Sequence, residues 1–208
     1  MGFDHWMTPP EQLEAARSFM GSIDLDPASN YVAQQYVRAA TYAITREEED
    51  RQNKLYEENK LEVTNSAVTG TKVINGLGIP WYGNVWVNPP YSRDLINLFV
   101  GKVVHESYNT QVKNILLLVN SQTDTGWYHT LLENAQALLL YKGRLKFWKV
   151  INNRAYDKWE GEKSKQEGAG KIGNSPRYLN SLFLFTHNDD YIARFRQLYS
   201  KHGHVIIL

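Results

Sequence analysis

The stretch "GNVWVNPPYSRDLINLFVGKVVHESYNTQVKNILLLVN", residues 83–120, carries the reading of the fold. It opens on the short apolar run Val85-Trp86-Val87, breaks at two prolines, and resumes with Leu95, Leu98, Phe99 and Val103 at helical spacing, with Ser92 as a candidate cap. It closes on "NILLLVN", a continuous apolar run of the kind that forms a strand buried on both faces. Strand, helix and strand in succession predict an α/β domain with a mostly parallel sheet.

Outward from this unit the alternation continues. Toward the amino terminus, Thr8-Pro9-Pro10-Glu11 has the form of a capping box, and Leu13, Ala16 and Met20 follow at helical spacing, so a helix is predicted from about Pro9. "SIDLDPASN" reads as a strand ending in a turn, "YVAQQYVRAA" as a helix and "TYAIT" as a strand. Toward the carboxyl terminus "TGWYHTLLENA" has a helical period, whereas "ALLLY", "SLFLF" and the final "VIIL" are strand-like. Two polar segments interrupt the pattern. Residues 46–72, rich in charge and then in Ser, Thr, Asn and Gly, read as an insertion, and residues 149–178 are too long and polar for a routine connection. Residues 1–208 are read as a single domain.

Composition narrows the function classes. No apolar run approaches the roughly 20 residues of a membrane helix, and no export signal or myristoylation pattern is present, since residue 6 is Trp6, so a cytoplasmic protein without membrane association is expected. With no cysteine and six scattered histidines, neither disulfides nor a metal site are expected. The net charge of +1 conceals one basic tract: between Lys142 and Arg177 ten basic residues face four acidic ones, a local +6. Within it Lys142, Arg144, Lys146, Lys149, Arg154 and Lys158, interleaved with Trp148, Tyr156 and Trp159, are candidate DNA contacts, although a solvated charged surface explains such a run equally well.

The turn after Val87 is the chemical signal. Asn-Pro-Pro-Tyr arises by chance in roughly one chain in a thousand of this length, and its position at a strand end lowers that further. An exocyclic amine on a purine delocalises its lone pair into the ring and is a poor nucleophile until that pair is localised. Two acceptors aimed at its N–H bonds stabilise the tetrahedral transition state more than the planar ground state. Asn88 offers a side-chain oxygen and Pro89 a backbone carbonyl. Pro89 and Pro90 stiffen the turn, and Tyr91 offers a stacking face for a base turned out of a duplex. An amide also leaves no charge buried in the empty site. A proline-stiffened lead into a helix is the competing structural explanation.

With "WMTPPEQL" (6–13), "DLDPASN" (24–30), "NGLGIPWYGNVWVNPPYS" (75–92), "SQTDTGWYH" (121–129), "GRLKF" (143–147) and "NSLFLF" (180–185) in this order, the chain resembles the phage-type DNA N6-adenine methyltransferases, small Rossmann-like enzymes. The likeness spans nearly the whole chain. Its specific part is the ordered set, because NPPY alone is shared with methyltransferases of RNA and of protein glutamine. The resemblance implies a three-layer fold, S-adenosylmethionine as cofactor, double-stranded DNA as partner with the target base flipped out, and Asn88, Pro89, Pro90 and Tyr91 as the catalytic motif. It further implies cofactor contacts from Trp6, Thr8 and Pro10 near the methionine end, from Asp24, Asp26, Ala28 and Ser29 near the methionine or ribose, and from Asn75, Leu77 and Asn88. Protection from restriction is implied by the phage likeness alone. Alternatives of a different kind are a methyltransferase for another planar amine (RNA, cytosine N4, protein glutamine) and a catalytically silent DNA-binding module.

Three points stay open on the residues themselves. "TPPE" is as good a capping box as a ligand contact. "TDTGWYH" is explained as well by a helix capped at Thr123 or Asp124 as by catalysis, and is kept out of the catalytic set. The usual glycine-rich loop is missing: Asn30 stands where a glycine is common, asparagine tolerates the left-handed backbone, and Asp24 and Asp26 end either the first or the second strand of the sheet. Asn75 replaces a commoner aspartate, keeping an acceptor but losing its charge, so weaker cofactor affinity is expected.

Overall fold

The computed structural model describes residues 6–57, 68–151, 154–156 and 178–208. Eleven strands are found among them: β1 (Trp6–Met7), β2 (Leu25–Asp26), β3 (Thr41–Ile44), β4 (Thr71–Ile74), β5 (Gly83–Val87), β6 (Val112–Asn120), β7 (Ala137–Tyr141), β8 (Trp148–Ile151), β9 (Arg154–Tyr156), β10 (Asn180–Thr186) and β11 (Gly203–Ile207). The helices are α1 (Pro10–Met20), α2 (Tyr31–Val37), α3 (Arg46–Glu57), α4 (Arg93–Ser107), α5 (Gly126–Asn134) and α6 (Asp189–Tyr199).

The apolar run at 114–120 lies in β6, and its side chains divide by parity. Ile115, Leu117 and Val119 join one core with Val85 and Val87, whereas Leu116 and Leu118 join a second core with Trp86. Both faces of the strand are covered, which removes any reason for polar alternation. Over the first face lie α4 and α5, through Ile96, Phe99, Val103, Tyr128 and Leu131. Over the second lie α1 and α6, through Leu13, Phe19, Phe195 and Tyr199. The Phe19 ring meets Phe195 edge-on at 5.8 Å and Tyr199 at 6.0 Å. The result is three layers, helices on both sides of one sheet.

Strand order in that sheet is β4-β3-β2-β5-β6-β10-β7-β11. From β4 across to β6 every pairing is parallel. β10 runs antiparallel to β6 and β7, and β11 antiparallel to β7, so only β10 and β11 oppose the rest. This is a mostly parallel Rossmann-like sheet. From β2 the chain winds outward through β3 and β4, then returns to lay β5 and β6 on the other side of β2. The strand order therefore reverses between β2 and β5, and a crevice outside the carboxyl ends of those two strands is where such sheets bind ligands. The topology also answers which strand "DLDP" ends: β2 is central, the first strand of the winding.

The charged segment 46–72 contains α3 and the first residues of edge strand β4, with Lys72 Nζ 2.6 Å from Glu49 Oε1, so its helix stands in the place of the β3–β4 crossover. Of residues 149–178, the described part forms the β8–β9 hairpin, which pairs through β8 with β1 in a separate three-stranded sheet. Residues 152–153 and 157–177, including Lys158 and Trp159, lie outside the described residues. Among the described residues no helix is long and apolar enough to cross a membrane.

One glycine holds the central strands in place. Gly83 has φ 64°, and a Cβ on it would lie 2.2 Å from Asp24 Oδ2. Gly83→Ala is therefore expected to lower unfolding stability by about 2 kcal/mol or more, read as a reduced urea midpoint with an unchanged slope.

Candidate active site

The site assembles at the carboxyl edge of the sheet around Asn88, the residue after β5. Its half-buried side chain is held on both sides: Nδ2 donates to Thr8 Oγ1 at 3.1 Å, and Oδ1 lies 3.3 Å from the Tyr91 hydroxyl. That hydroxyl is equally 3.3 Å from the Leu118 carbonyl on β6. Tyr91 thus presents a ring that is 38 % exposed while its oxygen is tucked against the sheet. Burial raises its phenol pKa, with the Asn120 backbone offsetting part of the effect, so the oxygen stays protonated and donates. Pro89 is buried and Pro90 exposed, which leaves the turn fixed at its base and open at its tip.

Thr8 answers the capping-box question. It does not cap α1: Pro9 occupies the N-cap position and no side-chain cap forms. The hydroxyl, 4 % exposed, is turned to Asn88 instead. Pro10 is the first residue of α1, and Trp6 sits on β1 opposite Lys149 of β8. The pairing of β1 with β8 therefore ties the start of the basic tract to the segment that reaches Asn88.

Across the switch point, Asp26 closes β2. It is 3 % exposed, and its Oδ1 accepts from the Ala28 amide at 3.1 Å. Burial pushes its carboxyl up to about 7, only partly offset by hydrogen bonds from Ser29 and the Ala28 N–H. Among the described residues no cation pairs with it. Ser29 is itself fixed by donating its amide to the Ala43 carbonyl at 2.9 Å. The loop after β4 packs onto this turn, for a Cβ on Gly76 would fall 1.9 Å from the Pro27 oxygen. It presents an exposed Asn75 in the left-handed region at φ 61°, while Leu77 and Ala28 share the core beneath.

Not every residue singled out in the sequence arrives here. Asp24 lies at the opposite end of β2, where Oδ2 accepts from the Asn84 amide at 2.8 Å and Oδ1 from Ser22 at 3.1 Å. Its carboxylate fastens the start of β5 rather than facing the crevice. Asn30 is not left-handed: it is extended at φ −147° and caps α2 by accepting from the Ala33 amide. The cap of α5 is Thr125, not Thr123 or Asp124, which stand exposed in the loop after β6. Ser92 occupies the N-cap position of α4 without a side-chain bond.

Two asparagines escaped the sequence reading. Asn120 ends β6 and Asn180 begins β10, both at the carboxyl edge, with Asn180 Nδ2 donating to Asn120 Oδ1 at 3.2 Å. Asn180 Oδ1 is buried without a hydrogen-bond partner among the described residues. Polar residues that close apolar strands were the available signal. Lys142, Arg144 and Lys146 follow β7 at the same edge and are exposed, while Lys149 and Arg154 fall on β8 and β9. Trp148 meets Tyr36 of α2 edge-on at 6.0 Å.

The family model for DNA N-6-adenine-methyltransferase (Dam) matches residues 65–171, half of the 208-residue chain. The chain belongs to this family. The Dam match contains Asn75, Leu77, the Asn88–Tyr91 turn and the basic tract through Lys158, which makes adenine methylation in DNA the class of activity. Thr8 and Asp26 lie before the matched stretch and join the site through the fold. No curated protein matches the chain.

Proposed function

We propose that this Dam-family chain transfers a methyl group from S-adenosylmethionine to N6 of adenine in double-stranded DNA, with the target base turned out of the helix. The observation that carries the reading is the placement of the Asn88 amide and the Asp26 carboxyl at the carboxyl ends of neighbouring strands, beside the switch point of the sheet. The donor set fits the cofactor: a buried carboxyl that no cation among the described residues pairs with suits an ammonium group, and the loop at Asn75 offers an exposed amide beside it. Asp26, Ser29, Asn75 and Leu77 are assigned to holding it. When bound, S-adenosylmethionine supplies a methyl group on a sulfonium, an electrophile needing no further activation.

The chain's own residues act on the amine. Asn88 Oδ1 and the Pro89 carbonyl accept hydrogen bonds from its two N–H groups and localise the lone pair on nitrogen, out of conjugation with the ring, so that N6 attacks through that pair. As N6 gains its fourth bond the S–CH3 bond of the donor would break with its electron pair staying on sulfur as a neutral thioether, and N6 sheds one N–H proton to water, leaving a neutral methylamine. No covalent enzyme intermediate forms, and positioning with fixed dipoles supplies the catalysis. The exposed Lys142, Arg144 and Lys146 stand where they can meet the phosphates.

Labelled S-adenosylmethionine incubated with protein and DNA, followed by digestion to nucleosides, tests this. Label in N6-methyladenine is expected, and folded protein that leaves that nucleoside unlabelled removes the proposal. Tyr91 separates stacking from hydrogen bonding. Tyr91→Ala should raise the KM for DNA by about tenfold, in line with 1–3 kcal/mol per stacked base, while Tyr91→Phe, which keeps the ring, should stay within about threefold of wild type.

A further inference from the structure

We infer that Thr8 is a positioning residue that sets the rotation of the Asn88 amide, an inference that rests on the reading just proposed. A primary amide has two nearly isosteric ends that exchange by a half-turn about the last side-chain bond. In one orientation Asn88 turns an acceptor to the substrate amine. In the other it turns a donor against two donors, and the lone pair is left in the ring. Catalysis by an asparagine therefore needs something to break this symmetry.

Thr8 supplies it. Its hydroxyl sits 3.1 Å from Asn88 Nδ2 and takes one of the two amide protons. Burial to 4 % exposure keeps water from substituting for that contact. The hydroxyl is free for this because it has been released from the cap of α1, where Pro9 stands instead. With Nδ2 held, Oδ1 is directed to the Tyr91 side of the turn. Tyr91 lies within the same 3.3 Å of the Leu118 carbonyl, so its single proton can pass to Leu118 and leave Oδ1 open to the amine. The contact spans eighty positions of sequence and is fixed at its far end by the pairing of Met7 with Trp148.

The test is Thr8→Val, of matching shape but without the hydroxyl, beside Thr8→Ser, which restores it. Steady-state kcat and the cofactor Kd are measured on both. Thr8→Val should lower kcat by about tenfold or more, the effect of losing one buried hydrogen bond, with the cofactor Kd within about threefold of wild type, and Thr8→Ser should recover most of the rate. Unchanged kcat overturns the inference. So does a Kd that rises along with the fall in rate, because Thr8 would then be a cofactor ligand. Should Thr8→Val fail to fold by circular dichroism, Thr8→Ala carries the same expectation.

The Asn88→Asp background sharpens the result. A carboxylate has two equivalent oxygens and no orientation to hold, so adding Thr8→Val there should change the remaining rate by less than about twofold. A full tenfold loss in that background would make Thr8 merely structural and overturn the inference. Wild-type protein that methylates no adenine in DNA removes the function proposed above and this inference with it, whereas equal wild-type and Thr8→Val rates remove this inference alone.

Discussion

Asn88→Ala should lower kcat for adenine methylation by about 10²–10³, the effect typical of removing one pre-aimed partner from a transition state, while cofactor affinity should stay within about threefold. The division follows from geometry. Asn88 meets Thr8 on one side and Tyr91 on the other, and both contacts belong to the turn after β5 rather than to the Asp26 end of the crevice. On the proposed function, losing the amide removes an acceptor whose worth is realised only as N6 becomes tetrahedral, so the rate should fall and binding should not. Equilibrium titration of cofactor together with single-turnover rates on DNA reads the two separately. A variant with wild-type turnover would strip Asn88 of its role.

Asp26→Asn acts in the opposite manner, on binding and on stability. The folded protein holds this carboxyl at about 7 against an ordinary 3.8, because burial outweighs its hydrogen bonds from Ser29 and the Ala28 N–H. Between those values the folded state keeps a proton that the unfolded state has lost. Stability contributed by this group is therefore complete below about pH 4, declines as pH rises, and is lost above about pH 7. The ligand-free wild type should therefore lose Tm between pH 5 and 8 relative to Asp26→Asn, which carries no ionisable group there. Binding of a cationic cofactor runs the other way, strengthening in the wild type as Asp26 ionises and weakening by tenfold or more in the variant. Thermal scans across that range, with and without S-adenosylmethionine, check both halves. A wild-type profile parallel to that of the variant would dismiss the buried-acid account.

The sequence was most legible where one physical demand dominated. Continuous apolar character in β5, β6 and β10 announced strands covered on both faces, and the prolines marked the end of β5 to the residue. Asp24 and Asp26 were harder. They are two positions apart, share a face by strand period, and look alike until the strand between them is known to be only two residues long. One then fastens a strand start and the other faces the crevice. Thr8 was ambiguous because a capping box satisfies the same pattern locally, whereas its actual partner lies in a different part of the chain. Helix α6 was overlooked although its signals are plain: Asn188 caps it by accepting from the Asp190 amide, and Phe195 and Tyr199 repeat at helical spacing. The β8–β9 hairpin was hidden because its short strands, WKVI and RAY, open a segment that is polar overall, and its pairing with β1 is a contact between distant segments that no local pattern encodes.

The seven-position ladder between β6 and β10, buried along its length, has a kinetic corollary. Its amides reach solvent only when the whole domain opens, so they should be the last to take up deuterium. Because the phenol of residue 91 is moored to that ladder at Leu118, the turn that carries Asn88 is anchored to the part of the sheet expected to open last.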